Sequence, residues 1–213
     1  MATYDLEEQE QLENLKAWWK RWGNYVVYGA SAALIAFAGY QYWQHTVNTQ
    51  VGEAAHKFES MQQALQANDL KAAREAGAAL IDQYGSTAYA TRAGMQLARM
   101  NADSRDFKSA KAQLEWVIKH SREASYQDVA RLNLAALLLD EKQYEPALAQ
   151  LNATHTEAFA PRFDDLKGDL YLAQGKNAEA RAAYTAAFSK LKETDALRSV
   201  VELKLDALGG PAK

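Results

Sequence analysis

The chain has 213 residues and a net charge of −3, with 27 acidic residues against 24 basic ones. This near-balance argues against a nucleic-acid-binding protein, which would need a basic face for the phosphates. The sequence contains no cysteine, which excludes disulfides, thiolate catalysis and zinc sites built on cysteine.

The first element in chain order is an uncharged segment over residues 22–52, whose front part, residues 23–43, is apolar, aromatic or small except at Asn24 and Gln41. A helix needs about 20 such residues to cross a hydrocarbon core. Aromatic residues border the segment at both ends, as they do at membrane interfaces. These are Trp18, Trp19, Trp22 and Tyr25 on one side and Tyr40, Tyr42 and Trp43 on the other. We therefore predict a transmembrane helix over residues 22–43.

The orientation of this helix follows from its flanking charges. Lys16, Lys20 and Arg21 precede it, whereas the next basic residue after it is Lys57. Because basic residues stay on the cytoplasmic side, we expect residues 1–21 in the cytoplasm and residues 44–213 outside it. A cleaved secretory signal is the alternative, but the acidic start of the chain and the continuation of the apolar block beyond Ala38 disfavour it.

Two surfaces of this N-terminal part are candidates for contacts. Within the predicted span, small residues spaced three, four and three apart share one helix face that would allow close packing in a bilayer, unless composition alone explains them. They are Gly29, Ala32, Ala36 and Gly39. Before the span, an amphipathic helix is predicted, suited to the membrane surface or to a partner. Its apolar residues are Leu12, Leu15, Trp19 and Trp22.

The remaining chain contains a repeat. Four short turns end in an alanine, and these alanines, Ala73, Ala110, Ala147 and Ala180, are spaced 37, 37 and 33 residues apart. Each turn lies between two amphipathic helices, at about the ~34-residue tetratricopeptide period. We predict helices at 46–67, 69–83, 87–102, 106–120, 126–141, 144–151, 160–174, 177–192 and 194–208. The fold class is therefore all-α, with a single N-terminal transmembrane helix followed by a tetratricopeptide-like helical repeat superhelix.

The four repeats match the tetratricopeptide pattern unequally. The fourth fits best, with Gly168 on its first helix and Ala180 and Tyr184 on its second, because small residues allow paired helices to approach and aromatic residues fill the space between them. The first fits worst, because Met61 stands where a small residue is expected. The last helix is predicted to cap the open end of the array.

No catalytic chemistry is apparent, so we predict a protein that is not an enzyme and uses no cofactor or metal. The four histidines are scattered without a second ligand at helical spacing, and no phosphate-binding loop or nucleophile motif occurs. Asp165 and Asp169, one helical turn apart beside Arg162, are the nearest approach to a carboxylate pair. We interpret them as a solvated helix start with an ion pair.

Binding residues are expected on the first helix of each pair, which normally lines the inner surface of such an array. A groove of mixed charge there would suit an extended peptide or a partner's tail, whereas the alternative is that these residues are merely solvated. The predicted partner-binding residues are Arg92, Gln96, Arg99, Asn133, Arg162, Asp165 and Asp169.

The order of parts resembles the YfgM family, the ancillary subunits of the bacterial Sec translocon. The resemblance rests on the acidic start, the Trp18-Trp19-Lys20 approach to the apolar segment, the alanine-rich repeats, the run 162–169 and the closing run 203–206. It implies a single-pass protein of the bacterial inner membrane with a periplasmic repeat domain. The implied partners are SecYEG, a PpiD-like periplasmic chaperone and emerging polypeptides. An envelope-assembly scaffold and a tethered regulator that sequesters a cytoplasmic signalling protein are the alternatives.

Overall fold

The computed structural model describes the backbone of residues 2–209 and the side chains from Glu10 onward. Every regular element in that range is helical, which confirms the all-α prediction. The chain divides into two compact units, one ending at Gly52 and the other beginning at Glu53. The side chains of Glu7 and Glu8, part of the predicted acidic segment, lie outside the described residues.

Helix α1 runs without interruption over Ala2–Gln66, and its part up to Gly52 makes up the first unit. Large apolar and aromatic side chains are exposed along it, including Trp19, Ile35 and Trp43. Among the described helices, none combines the length and hydropathy needed to cross a membrane. Small and aromatic residues outnumber leucine and isoleucine over residues 22–43, and the predicted transmembrane helix there is not confirmed.

The second unit consists of consecutive helices that pack against one another. Their bounds agree with the predicted ones to within about two residues, the usual uncertainty of helix ends, and only the short 3₁₀ turn was not predicted. The helices are α2 Leu70–Tyr84, α3 Ala88–Asp103, α4 Phe107–His120, α5 Ala124–Asp140, α6 Tyr144–Leu151, the 3₁₀ helix Glu157–Phe159, α7 Ala160–Ala173, α8 Asn177–Lys190 and α9 Ala196–Ala207.

One turn geometry joins the two helices of every pair. Asn68, Arg105, Lys142 and Gly175 all adopt positive φ, between 57° and 75°, and stand at the spacing of the repeat. The backbone N–H that follows each of them donates to a carbonyl five residues earlier at 2.8 or 2.9 Å. This is the Schellman end of a helix, and the next helix begins immediately after it. The repeat register is therefore set by four equivalent left-handed residues.

In the second, third and fourth repeats, a small residue on one helix is matched to a large residue on the other. Seven residues before the left-handed position stand Met61, Ala98, Ala135 and Gly168, and nine residues after it stand Gly77, Leu114, Leu151 and Tyr184. All eight are buried. A Cβ on Gly168 would lie 2.3 Å from Cε1 of Tyr184, so only glycine fits beside that ring. The first repeat departs from this matching, because Met61 is buried in a cluster with Ala73 and Leu80 and Gly77 lies against the Leu97 side chain of α3.

Helix α9 packs against α8 and buries Val201 and Leu205 in a cluster with Ala180, Tyr184 and Ala187. It thus occupies the place predicted for a cap at the C-terminal end of the array. The guanidinium of Arg198 adds a second contact to α8, because it lies 3.9 Å from the centre of the Phe188 ring.

A partly buried polar network joins α9 to α7. The Lys204 Nζ lies 2.8 Å from Asp165 Oδ1 and 2.7 Å from Asp169 Oδ1, and the Tyr184 hydroxyl donates to Asp169 Oδ1 at 2.7 Å. Burial raises the pKa of Tyr184 well above its usual range, and the hydrogen bond to Asp169 raises it further. Burial lowers the pKa of Lys204, but the hydrogen bonds to the two carboxylates outweigh this and leave that pKa raised.

We expect Gly168→Leu to destabilise the protein severely, because the side chain would enter the space of the Tyr184 ring. Overpacking of this kind costs ~1–3 kcal/mol or more. Ala180→Leu, at a fully buried position, should act in the same direction. Urea unfolding of the purified variants measures both effects, and curves that superimpose on the wild type would contradict the described crossing.

A double substitution tests the size matching itself. Gly168→Ala alone should lower the free energy of unfolding, whereas Gly168→Ala combined with Tyr184→Leu should cost less than the sum of the two single changes. The reason is that alanine and leucine already occupy the equivalent two positions in the second and third repeats. Strictly additive losses would show that the two residues do not share one space.

The network of Tyr184 and Lys204 predicts a loss of stability at alkaline pH. A group whose pKa is higher in the folded than in the unfolded state stabilises the protein fully below the unfolded pKa. This stabilisation is lost as the pH rises further, because the unfolded chain releases the proton first. For tyrosine and lysine this loss begins near pH ~10. The free energy of unfolding, measured by urea unfolding between about pH 8 and 11, should therefore fall less steeply with pH for Tyr184→Phe than for the wild type. Tyr144→Phe, whose hydroxyl is exposed, is the control and should keep the wild-type slope.

Candidate peptide-binding clefts

Two neighbouring clefts flank helix α5 in the second unit. The first, of about 400 Å³, lies between α3 and α5 and includes Arg99 and Leu137 in its lining. The second, of about 430 Å³, lies between α5 and α7 and includes Leu132 and Arg162. Asn133 and Ala136 of α5 line both clefts. The first helices of three successive pairs therefore border one continuous stretch of surface.

The structure brings some of the predicted binding residues together and places others elsewhere. Arg99 and Asn133 line the first cleft, and Asn133, Arg162 and Asp165 line the second. The remaining three, Arg92, Gln96 and Asp169, line neither cleft.

Arg92 and Gln96 instead connect α3 to neighbouring first helices. The Arg92 Nε donates to the Tyr126 hydroxyl of α5 at 3.2 Å, and the Gln96 Oε1 accepts from the Gln62 Nε2 of α1 at 2.9 Å. The hydrogen bond to Tyr126 also raises the pKa of Arg92. Both side chains therefore help to hold successive repeats side by side.

Asp165 and Asp169 are engaged within the fold. Both carboxylates contact Lys204 of α9, so the ion pair expected from the sequence exists, with Lys204 rather than Arg162 as its cation. Burial raises the pKa of Asp165, although the hydrogen bond from Lys204 opposes this shift. These carboxylates thus hold the C-terminal helix at the edge of the second cleft.

Arg162 remains at the mouth of the second cleft. Its guanidinium lies 5.5 Å from the centre of the Phe159 ring, and the salt bridges found among the described residues do not include it. An exposed guanidinium over an aromatic ring keeps its hydrogen-bond donors available for a carboxylate.

The clefts have an apolar floor that the sequence analysis did not identify. In the second cleft it consists of Val129, Leu132, Phe159, Leu166 and Leu197. A signal was present in α5, whose apolar residues surround the helix. Ala130, Leu134 and Leu138 are buried in the core, while Val129, Leu132 and Ala136 face the cleft. A helix that is apolar on both sides needs two apolar environments.

The chemistry that the clefts offer is that of binding. Apolar surface bordered by an amide and two guanidinium groups can hold a polypeptide segment, with the polar groups fixing its orientation. In the part of the chain that the structure describes, no cluster of three His, Asp or Glu side chains could hold a metal ion.

The predicted membrane-contact face belongs to the first unit. A Cβ added to Gly29 or to Gly39 would meet no atom within 4 Å, so that face of α1 is open to close approach by another helix. Contact of Gly29, Ala32, Ala36 and Gly39 with a partner stays a prediction.

Comparison with known proteins places this architecture in a family. Residues 16–210 match the model of a tetratricopeptide repeat-like domain. The chain is 30% identical to an ancillary SecYEG translocon subunit of Neisseria gonorrhoeae, over 98% of this chain and 100% of that protein. It is 27% identical to proteins of the same name from Escherichia coli, over 98% and 99% of the two chains, and from Haemophilus influenzae, over 87% and 90%. No solved structure matches the chain. The chain therefore belongs to the YfgM family of ancillary SecYEG translocon subunits, with a tetratricopeptide repeat-like domain.

Proposed function

We propose that this chain is a non-enzymatic ancillary subunit of the Sec translocon, which links the SecYEG channel to periplasmic chaperones and helps to transfer emerging polypeptides to them. Similarity to three proteins named as ancillary SecYEG translocon subunits, over 87% or more of this chain, supports the translocon association. The observation that carries the binding role is the pair of apolar clefts beside α5.

The proposal places residues 22–43 in the inner membrane, with residues 1–21 cytoplasmic and residues 44–213 periplasmic. It is supported by the absence of charged residues over 22–52 and by the basic residues Lys16, Lys20 and Arg21 on one side only. The exposed aromatic side chains at both ends of the segment suit the headgroup level of a bilayer.

The clefts suit clients that have not yet folded. A chain emerging from a channel still exposes the apolar side chains that it will later bury, and an apolar cleft of this size can shield them. A PpiD-like chaperone is the partner to which such a segment would pass. The exposed charges around the clefts would mainly set the rate of encounter and its sensitivity to salt.

The topology predicts how the chain responds to protease. When protease is added to spheroplasts that carry an N-terminally tagged chain, the repeat domain should be digested, and a short tagged fragment should remain protected by the membrane. A cytoplasmic protein probed in the same samples controls for lysis. If the repeat domain is attacked only after the membrane is broken, the orientation is reversed.

The proposed division of labour predicts two opposite defects. Replacement of residues 22–43 by an unrelated apolar helix should abolish copurification with SecYEG, because close packing at a small-residue face selects a neighbour in lipid. It should leave capture of the periplasmic chaperone intact. The double substitution Arg99→Glu and Arg162→Glu should abolish capture of the chaperone and keep copurification with SecYEG. Lys176→Glu, at an exposed turn outside both clefts, is the control.

Copurification at normal yield after the span is replaced would contradict the division, because the repeats would then suffice for both contacts. Capture of an envelope-assembly complex would instead favour the scaffold alternative. Capture of a soluble cytoplasmic protein through residues 1–21 would favour the regulator.

A further inference from the structure

The connection between α6 and α7 differs from the tight turns that link other helices of the array. Helix α6 has only eight residues, and the chain then passes through residues 152–156 and a 3₁₀ turn before α7 begins. The last residue of that turn, Phe159, lines the second cleft. The long connection therefore supplies the aromatic part of the cleft.

A buried carboxylate holds this connection in place. Asp128 of α5 is only 2% exposed, and its Oδ2 accepts hydrogen bonds from the backbone N–H of Thr156 at 3.0 Å and from the Thr156 hydroxyl at 2.6 Å. The ring of His155 also stacks on the buried Phe163 ring, with 4.1 Å between their centres. Because burying a carboxylate is costly unless it is well hydrogen-bonded, this arrangement fixes the loop firmly, and Phe159 with it.

The charges around the second cleft are unequal in their availability. The carboxylate of Asp165 at its edge is paired with Lys204, whereas the guanidinium of Arg162 contacts only the Phe159 ring among the interactions described above. Arginine presents a planar set of donors that matches a carboxylate in a bidentate pair. The charge still open to an incoming partner is therefore positive.

We infer that the second cleft is a subsite for a polypeptide segment in which a bulky apolar side chain stands next to an acidic residue. The apolar side chain lies against Leu132 and Leu166, on the floor completed by Phe159, and the carboxylate pairs with Arg162. This inference rests on the proposed function and specifies the class of polypeptide that the cleft accepts. Thr156 and Asp128 act as positioning residues, since they hold Phe159 without touching the segment.

Fluorescence anisotropy with the full-length purified chain tests this subsite. The probes are three short labelled peptides with a Phe-Leu core that differ only in the next residue, which is Glu, Gln or Lys. The Glu peptide should bind most tightly and the Lys peptide about tenfold more weakly, because the Glu carboxylate can form a charge-assisted pair with Arg162, whereas the lysine ammonium is repelled by it. Arg162→Gln should remove the preference for Glu and keep the binding of the Gln peptide.

Two further variants separate the roles of the residues. Thr156→Val, which removes one hydrogen bond to Asp128, should weaken all three peptides by a similar factor, because it loosens Phe159 and changes no charge in the cleft. Arg99→Gln, in the first cleft, should keep the order of the three affinities. Circular dichroism melts confirm that each variant is folded before its binding is compared.

Equal binding of the Glu and Lys peptides, or an unchanged Glu preference in Arg162→Gln, would overturn the inference. Failure of all three peptides to bind would overturn it as well. Copurification of the same variants with SecYEG distinguishes these results from a failure of the proposed function. If SecYEG copurifies at normal yield but the peptides show no preference, only the subsite is refuted. If SecYEG does not copurify with the wild-type chain, the translocon association is refuted.

Discussion

The close crossing of two helices within each pair is the contact on which the rest of the domain depends. A left-handed residue ends the first helix and directs the chain straight into the second, and the crossing then requires one small and one large residue. Gly168 beside the Tyr184 ring shows how little space is left. Because the same geometry recurs four times, the first helices come to lie side by side, and the clefts beside α5 follow from that arrangement.

The helices of the domain were predictable because their signals are local. The first repeat was harder to interpret, since Met61 breaks the usual pattern, and only the structure shows that the small residue Gly77 lies against Leu97 of α3. The partner of Asp165 and Asp169 was not predictable, because Lys204 stands 35 or more residues away with no local pattern to connect them. Arg162 was predicted as a partner-binding residue because it stands on the first helix of its pair. The apolar floor beside it was not predicted, because it combines residues of α5, α7, α9 and the 3₁₀ turn that are far apart in the sequence.

The second cleft is formed by several elements of the fold. Its walls come from α5, α7 and α9, and its aromatic residue comes from a loop that Asp128 fastens. Lys204 of α9 pairs with Asp165 and Asp169 of α7. Because these ion pairs hold α9 in place, the two carboxylates do not pair with Arg162.

Site-specific photocrosslinking in living cells tests the account most directly. A photoreactive side chain at Asn133, where the two clefts meet, should capture the periplasmic chaperone or newly exported polypeptides, and one at Ala36 should capture subunits of SecYEG. The same group at Lys119, an exposed residue of α4, should capture neither class efficiently. Capture of the same set of proteins from Asn133 and from Lys119 would contradict a binding role for the clefts.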